Sequence, residues 1–275
     1  MKIKCDVCMH KCELDKGQRG FCRARFNDGE RIRPVNYGLL TSLALDPIEK
    51  KPLKYFRQGS MILSLGSYGC NLRCPYCQNS EISQSDGRDT GTEYFSPENI
   101  RDIAIRAQKD GNIGAAYTYN EPMMSYEYIM DCGKLIKEAG LCNVIVTNGQ
   151  TETAVLEKVL PYTDAMNIDL KGFSDKAYNA LGGSFEMAKE FIKRAAKDCH
   201  VELTTLIVPG LTDSYEDMKR EAGWIASIDP DIPLHITRFF PRYKMTDRRA
   251  TDTELMRRLL EIAETELTRV SLGNV

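Results

Sequence analysis

Short apolar runs alternate with amphipathic stretches from residue 62 onward, and that alternation limits the fold more than any other feature of the chain. The apolar runs fall at 62–66, 115–120, 144–148, 165–170, 201–208 and 234–237, each of strand length and bounded by turn residues. Helical periods fill the gaps, over 96–107, 123–139, 152–160, 184–197, 214–227 and 252–266. Ser96-Pro97-Glu98 supplies a start signal for the first of them, an N-cap serine followed by proline in the first turn. Six strand–helix units in about 210 residues predict an α/β fold with right-handed crossovers. Six units cannot close the usual eight-stranded barrel, so the expected architecture is an open, partial (β/α)6 TIM-like barrel of parallel strands. Residues 1–60 read as a separate, loop-rich cap with a small cysteine-rich knuckle, 61–240 as the core, and 241–275 as a C-terminal helix and tail.

Parallel-sheet enzymes carry their reactive groups at the carboxyl ends of the strands. Here the second run ends in Tyr119-Asn120-Glu121-Pro122, the third in Thr147-Asn148-Gly149, the fourth in Asp169-Leu170-Lys171-Gly172, and the fifth in Pro209-Gly210-Leu211-Thr212-Asp213. Any one of these could be a cap or a solvated loop. Their recurrence at successive strand ends points to a shared mouth. Arg238, His235 and Tyr243, around the sixth run, are candidates for closing it, or plain packing residues.

The first run leads into Cys70-Asn71-Leu72-Arg73-Cys74-Pro75-Tyr76-Cys77, a C-x3-C-x2-C spacing. Three thiolates on one short loop can hold three irons of a 4Fe–4S cube and leave the fourth iron open to another ligand. The competing readings are a zinc knuckle short of one ligand and three buried structural cysteines. Cys5, Cys8, Cys12 and Cys22 form a second group, spaced C-x2-C-x3-C-x9-C around Gly17 and Gly20. Four converging thiolates suit a closed structural zinc or a second iron–sulfur cluster, with free thiols as the remaining reading and His10 as a spare ligand. Cys132, Cys142 and Cys199 stand singly in helical or strand patterns and read as small core residues.

Ten cysteines in a 275-residue chain with no leader-like apolar start point to metal or redox work rather than disulfides, and the expected location is cytoplasmic. A net charge of -2 provides no basic footprint for duplex nucleic acid, and no apolar run is long enough to span a membrane.

With these motifs in place, the chain resembles radical S-adenosylmethionine enzymes of the pyruvate formate-lyase-activating type over about residues 60–240. The four N-terminal cysteines, Tyr37-Gly38, the segment Leu45-Asp46-Pro47-Ile48-Glu49-Lys50-Lys51-Pro52-Leu53 and Ile82-Ser83-Gln84 extend the likeness to the radical enzyme of the AmmeMemoRadiSam system. The resemblance implies that Cys70, Cys74 and Cys77 carry a 4Fe–4S cluster and that Tyr76 lies near the adenine of S-adenosylmethionine. It places Asn120, Asn148 and Asp169 among the cofactor-binding residues, Glu121 on the cosubstrate ammonium and Lys171 on its carboxylate. Val146 stands where activating enzymes often have an acid, and Thr204 or Thr205 near where some have an arginine; both are departures. The implied chemistry is reductive cleavage to a 5'-deoxyadenosyl radical that takes hydrogen from a substrate, with ferredoxin or flavodoxin as reductant. The substrate is an unidentified small molecule or a protein, and the alternatives are an activase placing a glycyl radical on a partner and a non-catalytic metal-binding or electron-transfer module.

Overall fold

The computed structural model describes residues 2–275 and gathers eight strands into one sheet. They are β1 (Ser42–Pro47), β2 (Met61–Gly66), β3 (Asn112–Thr118), β4 (Cys142–Thr147), β5 (Ala165–Asp169), β6 (His200–Ile207), β7 (Leu234–Arg238) and β8 (Val270–Gly273). Spatial order follows chain order, with β2 to β8 parallel and β1 antiparallel to β2. The two end strands do not pair with each other, so the barrel is partial and open. All six runs read from sequence are strands of this sheet, and the helices of seven residues or more that accompany them are α1 (Pro97–Arg106), α2 (Tyr126–Glu138), α3 (Thr153–Val159), α4 (Asp175–Leu181), α5 (Phe185–Ala195), α6 (Tyr215–Ala226) and α7 (Thr253–Glu264).

Local chemistry accounts for these elements. Ser96, Ser184, Ser214 and Asp252 each cap a helix by accepting a backbone N–H with the side chain, which contributes about 1 kcal/mol per cap. In α5 the buried residues Ala188, Phe191, Ile192 and Ala195 recur at the spacing that draws an apolar stripe along one helix face. The central strands are covered on both faces, so Ala115, Ala116, Val144, Ile145, Ala165 and Met166 are buried without alternation. Gly114 is required where β3 meets β4, because a Cβ there would lie 1.8 Å from the carbonyl oxygen of Cys142.

Three departures from the expected layout have physical causes. Residues 1–60 are not a detached cap. Strand β1 covers the free edge of β2, and Cys5, Val7, Cys8, Cys22 and Ala24 pack into one core with the barrel. A knuckle this small buries too little surface to stand alone. The tail 241–275 supplies β8, whose four residues Val270–Gly273 are too short to declare a strand without β7 beside them. Helix α4, capped by the Ser174 side chain, lies outside the helical periods read from sequence, because its buried residues Ala177, Tyr178 and Leu181 complete barely two turns before Gly182 ends it at a left-handed φ.

Segment 51–55 enters the barrel and forms a floor under the carboxyl-end mouth. Pro52 O accepts from Asn167 Nδ2 at 2.9 Å, and the amides of Lys54 and Tyr55 donate to the Glu202 carboxylate at 3.0 and 2.8 Å. Glu202 also meets His200 Nε2 at 2.9 Å and His235 Nε2 at 2.6 Å. Burial opposes its charge, but the two imidazoles and the amide donors outweigh it and hold the carboxyl down at about 2.

Candidate active site

A cavity of about 410 Å3 opens at the carboxyl ends of the strands. A larger, shallow depression of about 650 Å3 lies at the opposite strand ends, among Lys137, Glu157, Asp164 and His200, and holds no comparable set of groups. The mouth is therefore the site that topology predicts.

The loop after β2 brings Cys70, Cys74 and Cys77 to the cavity wall. Asn71 anchors it by donating Nδ2 to Gln150 O at 2.7 Å and accepting from Asn148 Nδ2 at 2.9 Å, while Arg73 N donates to Leu181 O at 2.9 Å. Leu72 N–H points at Cys70 Sγ at 3.4 Å, and Cys77 Sγ meets Ser83 Oγ at 3.1 Å. Gly69, at φ +86°, sits where a Cβ would strike Cys22 O and Ala24 Cβ, so the N-terminal segment presses directly on the cysteine loop. Burial, with Glu121 and Cys74 nearby, pushes the Cys70 thiol well up; burial raises Cys74 to about 11 against the pull of Lys171. Thiols in this state stay protonated until a positive centre displaces the proton, which is the behaviour of ligands that load together with their metal.

Across the mouth, Glu121 is 2% exposed. Its Oε1 accepts from the Thr147 hydroxyl at 2.7 Å and Met123 N at 3.2 Å, and its Oε2 from Asn148 N at 2.8 Å. These partners are all neutral donors. Burial outweighs them and lifts the carboxyl to about 7. A buried carboxylate with hydrogen bonds but no counter-ion is a ready acceptor for a ligand cation. Asn148 therefore serves both sides, through its backbone to Glu121 and through its side chain to Asn71, with Cys70 Sγ 3.6 Å from its Nδ2. Asn120 lines the cavity, but its amide is committed to bracing: Oδ1 accepts from Ser67 N at 3.0 Å, and Nδ2 reaches Tyr68 O and Gly69 O, both at 3.1 Å.

Lys171 faces the same cavity, paired with Asp169 at 2.7 Å. Burial works against its charge, but Asp169, with Cys74 and Tyr76 behind it, holds the ammonium well above its ordinary pKa. Tyr76 is 4% exposed and forms wall beside Cys74. The mouth thus presents an acceptor for an ammonium and a fixed cation in one cavity with the three thiols.

Tyr119, at the edge of the cavity, was not singled out from sequence. It holds a left-handed φ of +70°, rare for a side-chain-bearing residue, and its hydroxyl donates to Asp46 Oδ2 at 2.6 Å. Lys51, almost fully buried, pairs with Asp46 at 2.9 Å and lies 4.5 Å from the Tyr119 ring. The signal was available, because Asp46 and Lys51 belong to the quoted Leu45–Leu53 segment and Tyr119 precedes Asn120-Glu121.

The residues expected to close the mouth do not reach it. His235 is near the amino end of β7, bound to Glu202 and to Ser271 Oγ at 2.8 Å. Arg238 donates to Thr251 O at 2.7 Å, and the Tyr243 ring lies under Lys244 on the surface. Strand pleat sends Thr237 to the cavity instead, and Asn274, just past β8, lines it as well. The Val146 and Thr204 departures both line the cavity without adding charge.

Among the N-terminal cysteines, Cys5, Cys8 and Cys22 are buried and Cys12 is partly so. His10 is engaged elsewhere: its Nε2 meets Asn71 O at 2.8 Å and its ring stacks on Phe21 with centroids 3.8 Å apart. Cys132 is buried in the main core, against which Cys199 packs in part, and Cys142 is buried in β4. No helix among the described residues is long and apolar enough to cross a membrane.

An open barrel whose first parallel strand, β2, delivers three thiols to a charged mouth defines a cluster-bearing α/β enzyme. Its family is the radical SAM superfamily, to which the chain belongs: that family model matches residues 65–222. An uncharacterized protein of Methanocaldococcus jannaschii is 39% identical over 277 residues, covering 100% of this chain and 82% of that one. The pyruvate formate-lyase-activating enzyme of Clostridium pasteurianum is 27% identical over 205 residues, 70% of this chain and 85% of its own. Among solved structures, Streptococcus suis SuiB bound to S-adenosylmethionine superposes with a TM-score of 0.57 at 16% identity, over 75% of this chain and 48% of that chain. Family membership brings a 4Fe–4S cluster and S-adenosylmethionine as cofactors. The residues fit both: three thiols on one loop at the cavity wall, a buried carboxylate bonded only to neutral donors, and a half-buried ammonium.

Proposed function

We propose that this protein reductively cleaves S-adenosylmethionine and uses the resulting carbon radical to abstract hydrogen from a substrate. One observation carries the reading: Glu121 and Lys171 face one cavity beside Cys70, Cys74 and Cys77, so a carboxylate awaits the ammonium of the cosubstrate and an ammonium its carboxylate. When bound, the cluster on these three thiols and S-adenosylmethionine supply the one-electron bond cleavage.

The chain's own residues bind, orient and exclude water. Glu121 takes the ligand ammonium while keeping its three neutral donors, which hold the carboxylate in one rotamer. Lys171 receives the ligand carboxylate by sharing or exchanging Asp169. Tyr76, Leu72 and Leu206 line the dry part of the wall, and Pro52 closes the floor, so that a reactive carbon meets substrate before solvent. A flavodoxin or ferredoxin is the fitting reductant, and a small molecule or a polypeptide segment reaches the radical from the open mouth.

A second reading, installation of a glycyl radical on a partner protein, draws support from relatives named as pyruvate formate-lyase-activating enzymes. The first test is formation of 5'-deoxyadenosine and methionine by anaerobically reconstituted protein with dithionite. Absence of both products with an intact cluster overturns the proposal. A glycyl-radical doublet on a co-purifying protein would select the second reading.

A further inference from the structure

Strand β3 ends in a turn that few residues with a side chain can make. Asn120 N donates to Thr118 O at 3.0 Å, which closes a three-residue γ-turn around Tyr119, and Tyr119 holds φ at +70°. For a residue with a Cβ this is the rare, strained form of the turn. Without a restraint Tyr119 would relax toward the extended backbone of the strand it follows, and the two residues after it would be displaced. Those residues are Asn120, which braces Ser67–Gly69, and Glu121, which faces the cosubstrate cavity.

The restraint acts on the Tyr119 side chain. Its hydroxyl donates to Asp46 Oδ2 at 2.6 Å and accepts from Lys51 Nζ at 3.3 Å, while Lys51 Nζ donates to the same Asp46 oxygen at 2.9 Å. Three groups thus close a ring of hydrogen bonds, and the Lys51 ammonium lies 4.5 Å from the centre of the Tyr119 ring. The ring fits because β2 ends in glycine: a Cβ on Gly66 would stand 2.7 Å from Tyr119 Cδ2. Burial and the Asp46 carboxylate push the phenol up to about 12, so it stays a donor.

The other end of this contact is fixed as well. Ile48 and Leu53 are fully buried against Ile62, Ala116, Val144 and Ala165, and Pro52, Lys54 and Tyr55 are tied through their backbones to Asn167 and Glu202. Lys51, with a side chain 2% exposed, sits between these anchors. An ammonium that burial opposes is an unfavourable filler, since an apolar side chain of similar length would occupy the same space. What the charge adds is a directed grip on Asp46 and Tyr119.

The backbone of the turn meets both halves of the site. Tyr119 O accepts from Asn79 Nδ2 at 2.8 Å, two residues past Cys77, and Glu121 N donates to Gly69 O at 3.4 Å, one residue before Cys70. The turn therefore bridges the cysteine loop and the carboxylate across from it.

We infer that Tyr119 is a positioning residue for S-adenosylmethionine, held in its left-handed turn by the Asp46–Lys51 pair so that Glu121 is kept in place against the thiol loop. The inference rests on Glu121 as the ammonium acceptor proposed above. Tyr119 acts through Glu121, by removing conformers that the carboxylate would otherwise have to leave on binding.

Tyr119→Phe keeps the ring and deletes one hydroxyl. Anaerobic calorimetric titration of the cluster-loaded variant should find S-adenosylmethionine bound about tenfold more weakly, with iron content unchanged. In 5'-deoxyadenosine assays the loss should fall on KM rather than kcat. A Glu121→Gln background separates positioning from general stability: there Tyr119→Phe should alter the dissociation constant by less than about twofold, because the group it positions has lost its charge. Parent-like affinity in Tyr119→Phe, equal losses in the two backgrounds, a fall in kcat with KM unchanged, or iron lost in step with binding would each overturn the inference. A Glu121→Gln protein that binds as tightly as the parent removes the ammonium acceptor and takes the inference with it, whereas failure confined to Tyr119→Phe leaves the proposed function standing. If Tyr119→Phe does not fold, Lys51→Met, which removes only the ammonium from the ring, should weaken binding with the same dependence on Glu121; unchanged affinity or equal losses in both backgrounds overturn the inference.

Discussion

Replacing Glu121 by glutamine isolates the electrostatic part of cosubstrate recognition. The substitution keeps the volume and removes a charge-assisted hydrogen bond, worth about 1.5 to 3 kcal/mol. At about 1.36 kcal/mol per tenfold, S-adenosylmethionine should bind roughly 10 to 150 times more weakly. The local geometry decides how the amide settles. Oε1 has two donors, the Thr147 hydroxyl and Met123 N, so the glutamine oxygen belongs there and the NH2 turns toward Asn148 N, which loses its acceptor. That unpaired buried N–H costs a further ~1 to 3 kcal/mol, expressed as stability. A pH signature separates the two effects. Because the free carboxyl sits near 7, it is mostly protonated at pH 6 and ionised at pH 8, so wild-type affinity should rise with pH across that window and level off above it. The variant should be flat. Anaerobic calorimetric titration of cluster-loaded protein at several pH values measures both. A dissociation constant within twofold of wild type, or a pH slope that survives in the variant, would refute Glu121 as the ammonium acceptor.

Cys74→Ala should abolish 5'-deoxyadenosine formation and cut bound iron, checked by product chromatography and metal analysis; retained cleavage contradicts the ligand assignment. Asp46→Asn leaves the Lys51 ammonium, 2% exposed at its side chain, without a counter-charge, and should cost about 3 to 5 kcal/mol of unfolding free energy in urea; a loss of less than about 1 kcal/mol would mean that the pair is dispensable. Glu221 is buried in α6 with the Thr205 hydroxyl as its partner, and burial lifts its carboxyl to about 8. The folded state therefore holds this proton more tightly than the unfolded chain, so stability falls as pH rises from about 4.5 to about 8, by on the order of 5 kcal/mol for this group. Glu221→Gln should flatten that decline, and an equal decline in both proteins, measured by denaturant midpoints at pH 5 and 8.5, would rule out its source in Glu221.

How far the site could be read from sequence depended on whether a residue's role was local. The cysteine loop and the strand-end carboxylate were legible because their chemistry is written in consecutive residues and parallel strands put their ends together. Asn120 shows the limit of that logic. It lines the cavity, but its amide serves the turn at Ser67–Gly69, which only packing reveals. Tyr119, Lys51 and Asp46 escaped notice because their contact joins residues 68 to 73 positions apart. His235 was open to two readings, closing the mouth or packing, for a similar reason: its partner Glu202 is 33 residues away, at the barrel's other end.

By itself, the amino-acid order determined the strand–helix alternation, the parallel sheet and the thiol loop, since each follows from periodicity or spacing within one stretch of chain. Only tertiary structure decided that Ser42–Pro47 and Val270–Gly273 join the sheet, that Glu121 is bonded only to neutral donors, and that Cys22 touches Cys70. Edge pairing, desolvation and the approach of distant backbone are set by what packs around a residue, and no local pattern of side chains encodes them.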